Sequence, residues 1–125
     1  MSSTELSFHF AHANGFPAGS YNAMFSALPK NFNRLHVERF GHDPQLPVNG
    51  NWRNQVHELI KHVRKENTDS RGVFGVGHSF GAVITYMAAC EAPELFRGII
   101  LLDPPLVVGP LSYFFRFAKY TPLIN

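Results

Sequence analysis

One stretch constrains the fold more than any other: Gly72 to Gly77 (GVFGVG), then His78-Ser79-Phe80-Gly81, then AVITYMAA. The first part is a short apolar run and reads as a buried strand. Phe80 to Ala92 reads as a helix of small and apolar residues, stopped by Pro93. No loop fits between them. The chain must turn sharply from strand to helix, which puts Ser79 in a strained backbone conformation. Side chains two positions before and two after the serine would collide in such a turn, and glycines, Gly77 and Gly81, stand at both places.

The rest of the chain supplies matching pieces. Leu6 to Ala11 (LSFHFA) reads as a strand that ends in the turn-rich segment HANGFPAGS. Tyr21, Met24, Phe25 and Leu28 lie at helical spacing, with Ser20 as the expected N-cap and Pro29 just beyond. Arg34 to Phe40 (RLHVERF) alternates as a second strand and stops at Gly41. Trp52, Val56, Leu59, Ile60 and Val63 form the strongest helical stripe. Phe96 to Leu102 (FRGIILL) is a fourth, more apolar strand. Alternating strands and helices predict right-handed parallel crossovers, a sheet covered on both faces, and a central strand at Gly72 to Gly77. Such a sheet collects its strand ends on one edge, where HANGF, GHSFG and DPP all fall.

Composition narrows the class. A chain of 125 residues fits one domain, and 45% hydrophobic residues exclude wholesale disorder. The net charge is only +2 and the basic residues are scattered, so no nucleic-acid partner is expected. The single cysteine, Cys90, excludes an internal disulfide and reads as a small core residue in a reducing compartment. No apolar stretch reaches the roughly 18 residues of a membrane span, and MSSTELSFHF lacks the pattern of a secretory signal. A cytoplasmic location is the expectation. The histidines lack zinc-ligand spacing with acidic or Cys partners, so no metal is expected.

Gly77 to Gly81 matches G-x-S-x-G, and strand before with helix after is the context that motif requires. A serine at such a turn stands exposed at the sheet edge beside the helix's N-terminal amides, which favour developing negative charge. The bland alternative is a serine that merely caps the helix. A dinucleotide loop would need its third glycine where Phe80 stands, and a P-loop would need G-K-[ST].

With that turn in place, the chain resembles the N-terminal half of an α/β-hydrolase-fold protein of the small esterase, lipase and perhydrolase type. HANGFPAGSY, RFGHDPQLPV, NWRNQVHELI, GHSFGAVITYMAA and IILLDPPL run in the family's order over nearly the whole chain. The resemblance implies an α/β three-layer sandwich with a mainly parallel sheet, truncated after the fourth strand. Residues 1–103 would be the N-terminal half of the core, and 104–125 the start of a cap or lid segment. Ser79 would be the nucleophile. The backbone N–H of Phe80 would be one oxyanion donor, with Phe16, or in another register Asn14, as the second.

Gly77, His78 and Gly81 would be structural parts of the turn. Asp103, which ends the fourth strand, is a candidate triad acid, or else caps the loop at Pro104 and Pro105. His12 is read as a structural histidine of the oxyanion loop, and His57 and His62 as surface residues of the long helix. The family's base follows the last strand, yet no histidine follows His78. Little turnover is therefore expected of these 125 residues alone. The family needs no cofactor and acts on small-molecule esters. The competing reading is a non-catalytic module that binds with the remnant of the site. The strand Phe96 to Leu102 would be an unpaired apolar edge, open to self-association.

Overall fold

The computed structural model describes residues 5–105. The expected cap segment therefore lies outside the described residues from position 106 on. Four strands, β1 (Leu6–Ala11), β2 (Phe32–His36), β3 (Val73–His78) and β4 (Phe96–Leu102), form one sheet in the order β2-β1-β3-β4. All three pairings are parallel. Helices α1 (Asn22–Ser26), α2 (Arg53–Glu66) and α3 (Phe80–Glu91) lie in the three connections. The serine-bearing strand β3 is interior, as its apolar run predicts, and every strand's C-terminal end falls on one edge.

The pleat sorts side chains between two layers of helix. Phe8 and Phe10 of β1 face α1, whose Phe25 ring lies 6.5 and 5.2 Å from theirs. Phe32, Phe74 and Val76 extend that cluster along the same face. On the opposite face Ala11 and Val73 pack against α2 and α3. Of the stripe seen in the sequence, Val56, Leu59, Ile60 and Val63 are buried there, while Trp52 is half-buried and caps the start of α2 with φ 59°. Three layers result. The short α1 covers only part of its face, however. Val76 pairs in register with Ile100, and His78 with Leu102. Those two β4 side chains remain 52% and 40% exposed, so among the described residues the expected full covering of both faces fails at β4.

Several local readings need correction. The second strand spans Phe32–His36, not Arg34 to Phe40. Its start is set by pairing of Phe32 with Leu6. Beyond His36 the backbone is drawn away: the Glu38 carbonyl accepts from Ala18 N–H at 3.0 Å, and Phe40 N–H donates to His12 Nε2 at 2.9 Å. Ser20 is not an N-cap. The chain enters α1 through a 3-10 turn, Ala18–Tyr21, and Tyr21 occupies the cap position without a side-chain bond. Cys90 is exposed, because it lies two residues past buried Ala88 and so on the other side of α3. His62 is no plain surface residue either. Its ring meets that of buried His9 at 5.3 Å, since position 62 borders the apolar stripe of α2.

Candidate active site

Ser79 sits between β3 and α3 with φ 53° and ψ −115°, a left-handed conformation that side-chain-bearing residues avoid. Backbone bonds hold it there. Its N–H donates to the Leu102 carbonyl at 2.9 Å, and its own carbonyl accepts from Ala82 N–H at 2.9 Å. The flanking glycines are sterically obligatory. A Cβ on Gly77 would lie 2.3 Å from the Gly81 carbonyl oxygen, and one on Gly81 would lie 2.0 Å from that of Ala11. Close approach of β1, β3 and α3 thus explains both glycines. Phe80 opens α3, where the first amides lack intrahelical acceptors. Its ring packs edge-on against Trp52 at 4.7 Å.

The loop after β1 lies at the same sheet edge. Phe16 N–H donates to the Ala13 carbonyl at 3.1 Å, closing a turn with Gly15 at φ 80° in its third position. The Phe16 amide is thereby occupied, and its side chain is 59% exposed. The Asn14 amide makes no hydrogen bond among the described residues. Tyr21, which in the sequence ends the HANGFPAGSY segment and opens a helical stripe, joins this loop to the serine turn. Its hydroxyl accepts from Ala13 N–H at 3.1 Å and lies 2.8 Å from His78 Nδ1. The sequence gives no sign of these two bonds, because the partners of Tyr21 are 8 and 57 residues away.

His12 is fully engaged. Nε2 accepts from Phe40 N–H at 2.9 Å, so Nδ1 carries the proton and donates to the Ala13 carbonyl at 2.8 Å. Burial lowers its pKa and favours this neutral form. Asp103 directly follows Leu102, whose carbonyl holds Ser79; it is exposed, with φ 49°. It makes no hydrogen bond or ion pair among the described residues. Beside the β1 loop a cavity of about 750 Å³ is lined by residues that include Asn14, Phe16, Arg39, Phe40 and Trp52. Among the described residues no helix is long and apolar enough to cross a membrane.

A parallel sheet with helices on both faces and a glycine-flanked serine at a strand-to-helix turn define the α/β-hydrolase class. The alpha/beta hydrolase family's sequence profile matches residues 10–124, and the chain belongs to that family. It is similar to a monoglyceride lipase homolog of Monkeypox virus, 30% identical over 97 residues, which cover 70% of this chain and 35% of that protein. Monoglyceride lipase of Rattus norvegicus is 30% identical over 105 residues, 76% of this chain and 35% of the relative. The type I acyl-CoA thioesterase mpaH of Penicillium roqueforti (strain FM164) is 27% identical over 123 residues, 86% of this chain and 28% of the relative. The chain spans about a third of the length of these curated relatives.

Proposed function

We propose that this chain carries the nucleophile half of a serine hydrolase acting on small-molecule carboxylic esters or thioesters. The observation that carries the reading is Ser79 at φ 53° between two glycines whose Cβ positions are already filled. Such strain persists where the surroundings impose it, and a serine in such a turn is the arrangement that presents a hydroxyl at the sheet edge. Relatives named as lipases and thioesterases support acyl transfer as the reaction type.

In this reading Ser79 Oγ attacks the acyl carbon while a base takes its proton, and the carbonyl oxygen becomes an oxyanion. The amides of Phe80 and Asn14 stabilise that charge; of the two candidates on the β1 loop, Asn14 has its N–H to spare. Collapse expels the alcohol or thiol, which takes up the proton. Water then cleaves the acyl-enzyme. Asp103 is the acid candidate that orients the base. The base itself lies outside residues 79–125, which hold no histidine. Gly77, His78 and Gly81 shape the turn and do no chemistry. The reaction needs no cofactor, and an exposed free Cys90 suits a cytoplasmic setting.

The test is labelling by a fluorophosphonate probe, with imidazole supplied as external base. Ser79 Oγ would bond to phosphorus as fluoride leaves and imidazole takes the proton. Adduct mass on the peptide holding Ser79, lost in Ser79→Ala, is the expected result. Equal labelling of the two proteins would refute the assignment.

A further inference from the structure

We propose that Tyr21 is the positioning residue that sets the gap between the two oxyanion amides; the inference rests on the nucleophile reading above. Both amides lie on separate segments, one on the loop after β1 and one on the turn after β3. An oxyanion hole works only if both donors reach the same oxygen at about 2.7–3.1 Å. The contact of Gly81 with the Ala11 carbonyl fixes the roots of the two segments. Their tips are joined through one oxygen, the Tyr21 hydroxyl. It accepts from Ala13 N–H at 3.1 Å, one residue before Asn14, and meets His78 Nδ1 at 2.8 Å, two residues before Phe80.

Ala13 N–H can only donate, which uses one lone pair of the hydroxyl; the direction of the other bond depends on the histidine tautomer. The tie as inferred gives the tyrosine's own proton to a lone pair on His78 Nδ1. His78 is then the Nε2–H tautomer, with its bonding nitrogen committed to Tyr21. Tyr21 is in turn braced by Phe10, ring to ring at 4.6 Å, in the core beneath α1. Without the hydroxyl, Ala13, only 4% exposed, keeps a donor with no partner, and the loop must move to satisfy it. A shift of about 1 Å in a catalytic donor can cost as much as a hundredfold in rate.

The experiment compares the parent with Tyr21→Phe, His78→Asn and His78→Ala in two readouts. Long-range ¹H–¹⁵N spectra of the His78 ring should show the pure Nε2–H tautomer in the parent and a tautomer mixture in Tyr21→Phe. Fluorophosphonate labelling with external imidazole should lose about tenfold in its saturating rate in Tyr21→Phe, with little change in half-saturating concentration. His78→Asn keeps an acceptor near the Nδ1 position and should retain most of the rate. His78→Ala should match Tyr21→Phe, and the double variant should be no slower than either single one. Should Tyr21→Phe fail to fold, His78→Ala against His78→Asn decides alone. Ser79-dependent labelling at the parent rate in Tyr21→Phe and His78→Ala, or an Nδ1–H tautomer in the parent, overturns the proposal. Labelling that does not depend on Ser79 sinks the nucleophile reading instead, and leaves the tautomer to decide the tie.

Discussion

Ser79 and its two glycines were legible in the sequence because a strand-to-helix turn without a loop is a local steric problem with few solutions. The structure adds the obstacle each glycine avoids. With the Ala11 carbonyl 2.0 Å from a Cβ at position 81, Gly81→Ala must push β1 and α3 apart. We expect it to lose about 3 kcal/mol or more, read as a lower urea midpoint; an unchanged midpoint would contradict the packing. His9 is the opposite case. The sequence offers no motif for it, yet it is 1% exposed with neither ring nitrogen hydrogen-bonded among the described residues. Burial foremost, then the nearby His62 and His36, pulls its pKa from 6.5 down to about 3. The unfolded chain thus binds a proton that the folded one refuses. Its contribution to stability is intact above pH 6.5 and falls by up to about 1.4 kcal/mol per pH unit between 6.5 and 3. His12 and His62, also lowered by burial, act in the same sense, while Glu58, raised by burial, acts against them. Urea unfolding at a series of pH values should show a shallower acid slope in His9→Leu than in the parent.

Among the elements, α2 was the most legible, since four apolar side chains at helical spacing leave little choice of face. All four are buried, and Leu59 is 0% exposed at the centre of the cluster. Leu59→Ala should lose about 3 kcal/mol through the cavity it leaves, at an unchanged urea m-value. A loss under 1 kcal/mol would mean that α2 is not held by this face. The second strand was misread because alternation continues through Val37 and Arg39, past the point where pairing stops. What ends β2 is a long-range competition for backbone polar groups: the His12 ring takes the Phe40 N–H and the Ala18 N–H takes the Glu38 carbonyl. Periodicity contains no term for that.

At the scale of the molecule, β4 is an edge among the described residues, with Ile100 and Leu102 exposed on the face that these leave uncovered. Such an edge favours pairing with another chain. Sedimentation velocity on these 125 residues should show concentration-dependent association that Ile100→Lys weakens; a monomer at all concentrations would remove that expectation. Chemistry is limited at the same scale. A serine hydroxyl needs an adjacent base, no histidine follows His78, and His12 is already bonded at both nitrogens. Ester turnover by these residues should therefore stay near that of Ser79→Ala. A large Ser79-dependent rate would show that an upstream histidine serves as base.

The sequence alone determined the class of fold, the strands β1 and β4, the apolar face of α2 and the serine turn. Each of these follows from short-range rules of spacing, turn sterics and side-chain size. Tertiary structure decided the rest: where β2 ends, which face of the sheet stays open, that Cys90 points outward, and that Asn14 has the spare amide. It also decided that Tyr21 reaches His78 across 57 residues. These outcomes depend on which polar groups meet after the chain has folded, and no local pattern carries that information.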